Sequence, residues 1–149
     1  MKIIIDTNIY ISAFCFDNLP DKLIQLVENS DDYSIITSIQ IFKELEQKFL
    51  SGRLEKILKN KYIKSYCQLF LRGLSEKAIT VEVPKSANLK ICRDPNDDML
   101  LSLANFGDVD YIITGDKDLL ILETLEAKSK KIIKIVTVNQ FLTMIQAWI

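Results

Sequence analysis

Asp6 directly follows the apolar run Ile3-Ile4-Ile5, and Asp116 follows Tyr111-Ile112-Ile113-Thr114-Gly115. Each pattern reads as a buried strand that ends in a carboxylate, and open parallel sheets bind ligands at the carboxyl ends of their strands. Two such acids face one edge of the sheet when their strands are neighbours. Helical phase selects a third acid in the segment that opens at Asp94-Pro95. Asp97 shares a face with Leu100, Leu101 and Ala104, whereas Asp98 shares one with Ser102 and Asn105, the polar stripe of that helix. A carboxylate on the apolar side of a first turn is costly unless it is paired, capping or metal-bound. Helix capping with a favourable dipole contact is the plain alternative for Asp97. A fourth acid belongs to the helix after the second strand, where Glu44 flanks the Ile41/Phe42/Leu45/Phe49 face on one side and Glu46 flanks it on the other. Periodicity does not choose between these two.

The composition narrows what such acids can do. The chain has no histidine, which removes Ser-His-Asp and Cys-His catalysis, His-ligated zinc and imidazole acid–base chemistry together. Chemistry therefore falls to carboxylates, hydroxyls, lysines or a bound metal. Cys15, Cys67 and Cys92 are odd in number and form no C-x-x-C pair, so they read as buried thiols of a reducing, cytoplasmic compartment. No apolar run exceeds four residues, far short of the ~20 that a membrane helix needs. The opening Met-Lys-Ile-Ile-Ile-Asp is too soon interrupted for a signal peptide.

The elements that must hold these acids can be read from the pattern. With 149 residues, 48% of them apolar and 26% charged, the chain is the size of one globular domain, residues 1–149. Lys2–Ile5, Tyr33–Ile36, Ile79–Val83, Val109–Thr114 and Ile132–Val136 read as strands. Helical patterns separate them, over Asp21–Glu28, from Thr37 to about Leu50, over 51–58 and 61–77, and from Asp94 to Gly107. Thr37-Ser38-Ile39-Gln40 and Thr137-Val138-Asn139-Gln140 have the spacing of capping boxes, the second opening a C-terminal helix. Pro95 at a first helical position and Gly107 beyond a last one frame the helix that carries Asp97. Five strands alternating with helices predict an α/β domain, a doubly wound parallel sheet covered on both faces.

Four blocks of this sequence carry a family resemblance: Asp6-Thr7-Asn8; Thr37-Ser38 with Glu44; Arg93-Asp94-Pro95-Asn96-Asp97-Asp98; and Ile113-Thr114-Gly115-Asp116-Lys117-Asp118-Leu119-Leu120. Together they resemble the signature blocks of PIN-domain proteins, most of all the VapC-like toxin–antitoxin ribonucleases, from Met1 to about Ile145. The resemblance implies a five-stranded sheet in the order 3-2-1-4-5 and an acidic pocket that binds Mg²⁺ or Mn²⁺. It implies hydrolysis of RNA phosphodiester bonds, a cognate antitoxin protein as partner, and a homodimer. Carried over to this chain, the catalytic and metal-binding acids are Asp6, Glu44, Asp97 and Asp116, with Asn8 and Thr114 as polar support. Asp118 is an additional acid that could share or replace the role of Asp116.

Physical chemistry agrees with that implied set. Four converging carboxylates cannot all ionise unless cations neutralise them, and an all-oxygen donor set suits a hard ion. Such an ion lowers the pKa of water and stabilises charge building on phosphoryl oxygens. A net charge of −1 departs from the basic balance usual in an RNA-binding enzyme, yet setting aside the four pocket acids turns −1 into +3. Residues 43–64 hold seven bases against three acids, and Lys43, Lys48, Arg53 and Lys56 among them are candidates to hold backbone phosphates. A phosphatase of the haloacid-dehalogenase type also sets an Asp after strand one, but it needs a second Asp two residues on, where this chain has Asn8. A response-regulator receiver needs an Asp after strand three and a Lys after strand five, where this chain has Pro84-Lys85 and Thr137. A non-catalytic PIN-like interaction module is the alternative of a different class, and it gives no reason to keep four metal-facing acids.

Overall fold

The computed structural model describes residues 1–146, so the last three residues of the expected domain lie outside the described residues. Six strands form one sheet in the order β3-β2-β1-β4-β6-β5. They are β1 (Lys2–Ile5), β2 (Ser34–Thr37), β3 (Ile79–Thr80), β4 (Tyr111–Ile113), β5 (Thr124–Glu126) and β6 (Ile132–Val136). The pairs β1–β2, β1–β4, β2–β3 and β4–β6 are parallel. The five parallel strands thus stand in the expected 3-2-1-4-5 order, counting β6 as the fifth. The added strand, β5, runs antiparallel to β6 at the sheet edge.

Alternation along the short apolar strands sends successive side chains to opposite faces. Ile3, Ile5, Ile35 and Ile113 enter one core, and Ile4, Ile36, Ile112, Ile133 and Ile135 enter the other. The first core is roofed by α1 (Thr7–Cys15), α2 (Leu19–Glu28), α3 (Ile39–Leu50), α4 (Arg53–Leu58), α5 (Ile63–Lys77) and α8 (Val138–Gln146). The second is roofed by α6 (Pro95–Gly107) and α7 (Lys117–Leu120). Both faces are covered, as a largely parallel sheet requires.

Several local expectations shift. The third strand was expected over Ile79–Val83 but pairs only through Thr80, with one further bond from Val81 N–H to Thr37 O at 2.8 Å. Its partner β2 stops at Thr37, so nothing remains for the later residues to pair with, and Val81 and Val83 pack against the second core instead. The cap of α3 is Ser38, whose hydroxyl accepts Ile41 N–H; the expected Thr37/Gln40 box does not form, because the cap falls one residue later and Ile41 has no side-chain acceptor to return the bond. The box at Thr137 forms reciprocally, Thr137 N–H donating to Gln140 Oε1 and Gln140 N–H to Thr137 Oγ1. Gly107 is the last residue of α6, and the left-handed position after it is taken by Asp108 at φ 52°. Gly52 does need its freedom: at φ 82° it turns the chain from α3 into α4. Cys67 is buried, while Cys15 and Cys92 are only partly so, and all three are free thiols. Among the described residues no helix is long and apolar enough to cross a membrane.

Candidate active site

The chain leaves β1 to one side through β2 and β3, then returns to β1's other side with β4, so a crevice opens where the direction reverses. Asp6 sits there as the N-cap residue of α1, its N–H donating to Ile113 O of β4 at 2.9 Å. Asp116 sits across from it as the N-cap of α7. Thr114 is fully buried between them. Its hydroxyl donates to Asp6 Oδ2 at 2.7 Å and accepts Asp116 N–H at 3.0 Å, so one threonine fixes the spacing of the two strand ends. Asp116 is held further by Asp118 N–H, which donates to its Oδ1 at 2.9 Å.

Asp97 enters from the first turn of α6, on the inward face that its phase with Leu100 and Leu101 required. It is 5% exposed, and its Oδ2 is a buried oxygen without a hydrogen-bond partner. Ligand oxygens of Asp97, Asp116 and Asp118 all lie within 4.8 Å of one another. Burial first, then the close approach of the Asp116 carboxyl, and then the charges of Asp94 and Asp6, push the Asp97 carboxyl up to about 7. Burial also raises Asp6, against the opposing pull of the Thr114 hydroxyl and the Lys48 ammonium. An orphaned, buried carboxylate oxygen costs about 1–3 kcal/mol, and a hard cation is the partner that an all-oxygen cluster suits.

Asp6, Glu44, Asp97 and Asp116 all line one pocket of about 90 Å³, together with Thr7, Asn8, Lys48, Asp94 and Asn96. Glu44, the acid that periodicity left tied with Glu46, is thus on the pocket side. Glu46 lies on a separate shallow groove with Lys43, Gln47 and Leu50. Glu44 Oε1 is 3.0 Å from Lys48 Nζ and accepts a long 3.5 Å bond from Thr7 Oγ1. Lys48 also donates to Thr7 Oγ1 at 2.9 Å and to Asn8 Oδ1 at 3.1 Å, so its ammonium is engaged inside the site. Two wider grooves flank the pocket. One, about 520 Å³, runs past Asn8 and Glu44 over Ile11, Leu54 and Ile57 to Arg53. The other, about 500 Å³, leaves Asp6 and Asp116 toward Ser12, Pro20 and Asn139. Lys43 and Lys56 line neither groove nor the pocket.

Four contributions escaped sequence reasoning. Arg93 is bonded through Nη2 to both oxygens of Asp118, at 3.1 and 3.0 Å, so that acid already carries a cation. Thr7 is buried and meets both Glu44 and Lys48. The placement of Lys48 had a signal, its i,i+4 spacing from Glu44, but that spacing equally describes a solvated helix pair. The Asp98/Ser102/Asn105 stripe, finally, is a hydrogen-bonding seam. Asp98 Oδ1 accepts Ile91 N–H at 2.9 Å and Cys92 N–H at 2.7 Å, Ser102 Oγ accepts Leu89 N–H, and Asn105 Oδ1 accepts Lys128 N–H.

Comparison with known proteins gives three results. A family profile described as PIN domain matches residues 2–118. The uncharacterized protein MJ1680 of Methanocaldococcus jannaschii is 34% identical over 157 residues, covering 100% of this chain and 94% of that protein. Among solved structures, a chain of VapBC2 from Rickettsia felis, bound to a DNA fragment from their promoter, is similar with a TM-score of 0.57. That likeness covers 92% of this chain and 98% of the other at 15% identity, which is a likeness of fold.

Proposed function

The chain belongs to the PIN-domain family, and from that premise we propose that it is a Mg²⁺- or Mn²⁺-dependent endoribonuclease, one PIN-like domain over residues 1–149, serving as the toxin of a toxin–antitoxin pair. The observation that carries the reading is Asp97 Oδ2, a buried carboxylate oxygen left without a partner beside Asp116. Asp6, Asp97, Asp116 and Glu44, which line one pocket, are the acids of the proposed site. An ion held there would supply positive charge against that building on the phosphoryl oxygens and would ease deprotonation of the attacking water.

The chain's own residues prepare this site. Thr114 locks Asp6 and the start of α7 into one geometry, so little reorganisation remains when substrate arrives. Asp118 N–H orients the Asp116 carboxylate, and Arg93 holds Asp118 at the rim. The flanking grooves give an extended strand a path on either side of the acids, and Arg53 on one of them offers a phosphate contact that positions without reading sequence. The antitoxin belongs to the same reading. An open acidic pocket suits a partner's arginine or lysine, because a charge-assisted pair is stronger than a neutral hydrogen bond.

The test is cleavage of a mixed RNA pool by purified protein, first as prepared, then after chelation, then with Mn²⁺ restored. Cleavage is expected to vanish on chelation and return with the ion. Cleavage indifferent to chelation, or absent once Mn²⁺ is restored, contradicts the reading.

A further inference from the structure

Lys48 lies one turn beyond Glu44 on α3, and its ammonium reaches back into the pocket. Its neighbours are Thr7 Oγ1 at 2.9 Å, Glu44 Oε1 at 3.0 Å and Asn8 Oδ1 at 3.1 Å. An ammonium has three protons and accepts nothing, so these three oxygens saturate it. They form a small shell around a positive charge, contributed by two adjacent residues of α1 and one of α3. The pocket is therefore divided. At the Glu44 end the oxygens already surround a cation that is covalently part of the chain. Elsewhere in the same pocket lie Asp97 and Asp116, whose oxygens come within 4.8 Å of each other and of Asp118, and Asp97 Oδ2 is buried without a partner.

We propose that Lys48 stands in for a second metal ion: it neutralises the Glu44 end of the pocket permanently, so that the site takes one divalent ion, on the Asp97/Asp116 side. The inference rests on the metal-site reading above and deepens it by fixing the number of ions and the role of one lysine. Glu44, on this view, acts through Lys48 as a positioning residue. A point charge on a flexible stem suits the task, because it fills the oxygen shell of Glu44, Thr7 and Asn8 without demanding octahedral ligands.

The test counts ions and does not depend on activity. Free Mn²⁺ is followed by electron paramagnetic resonance during titration of wild-type protein, Lys48→Met and Lys48→Arg, each shown to be folded by circular dichroism. Wild type and Lys48→Arg, which keeps the charge, are expected to bind one ion per chain. Lys48→Met, which keeps the stem and removes the charge, is expected to bind two. Glu44→Gln in otherwise wild-type protein is expected to keep its single ion. Two ions in wild type, one in Lys48→Met, or loss of the ion in Glu44→Gln overturns the proposal and leaves the metal-site reading standing. No Mn²⁺ bound by any of these proteins overturns both.

Discussion

Asp97 concentrates the electrostatic problem of the site. Its carboxyl, ordinarily near 3.8, is pushed up to about 7 by burial and then by Asp116, and Asp6 is shifted the same way, also by burial first. The folded chain thus holds a proton that the unfolded chain has already released, so folding is favoured below the ordinary value and that benefit is lost as pH rises through about 7. The melting temperature of chelator-treated protein is expected to fall between about pH 4 and pH 7, by about 2–4 °C for each kcal/mol lost. Asp97→Asn, which has no proton to lose there, should flatten the fall. Scanning calorimetry across that interval checks both, and a melting temperature that rises with pH would contradict the burial argument. The inward aim of Asp97 was legible because its phase with Leu100, Leu101 and Ala104 left it the one carboxylate on an apolar stripe. The position of Lys48 was not, because a long side chain at i,i+4 from a carboxylate pairs with it in solvent as readily as in a pocket.

Among the elements, those with a strong apolar period were read correctly in kind, whereas the exact cap of α3, the short helix α7 and the strand ends set by hydrogen-bond partners elsewhere were not. The five parallel strands announced themselves by β-branched runs that turn alternate residues to two cores. The β5–β6 hairpin did not, since β5 is three residues long and its connection has no Asn-Gly or Gly-Gly step; Lys130 takes the left-handed conformation instead, at φ 72°. Ile79–Val83 had the right alternation, but its pairing length was set by where β2 ends. The polar stripe of α6 shows the same limit: spacing gave the stripe, and only the fold showed that it fastens the 89–92 segment and Lys128. Asp98→Ala, which removes a charged acceptor from two backbone N–H groups, is expected to cost about 1.5–3 kcal/mol in urea unfolding. Asp98→Asn keeps an acceptor oxygen and is expected to cost less than half of that. Unfolding of Asp98→Ala at the wild-type urea midpoint would show that the seam contributes nothing.

For the whole molecule, charges of both signs are gathered into one pocket. A chain of net charge −1 gathers Asp6, Glu44, Asp97 and Asp116 at one switch point of its sheet and sets Lys48 among them. An ion that binds the folded state at one hundred times its Kd stabilises it by about 2.7 kcal/mol. Mn²⁺ is accordingly expected to raise the melting temperature of wild type by about 5–10 °C and that of an Asp6→Asn/Asp116→Asn double variant far less; equal shifts would place the ion elsewhere. The most direct test is the rate of RNA cleavage in Mn²⁺ by wild type and by Asp97→Asn, compared at equal folded fraction. Wild type is expected to cleave and the variant to lose on the order of a hundredfold or more, as when a charge-stabilising group is removed from an active site. A variant that cleaves at the wild-type rate would contradict the assignment of this pocket as the active site.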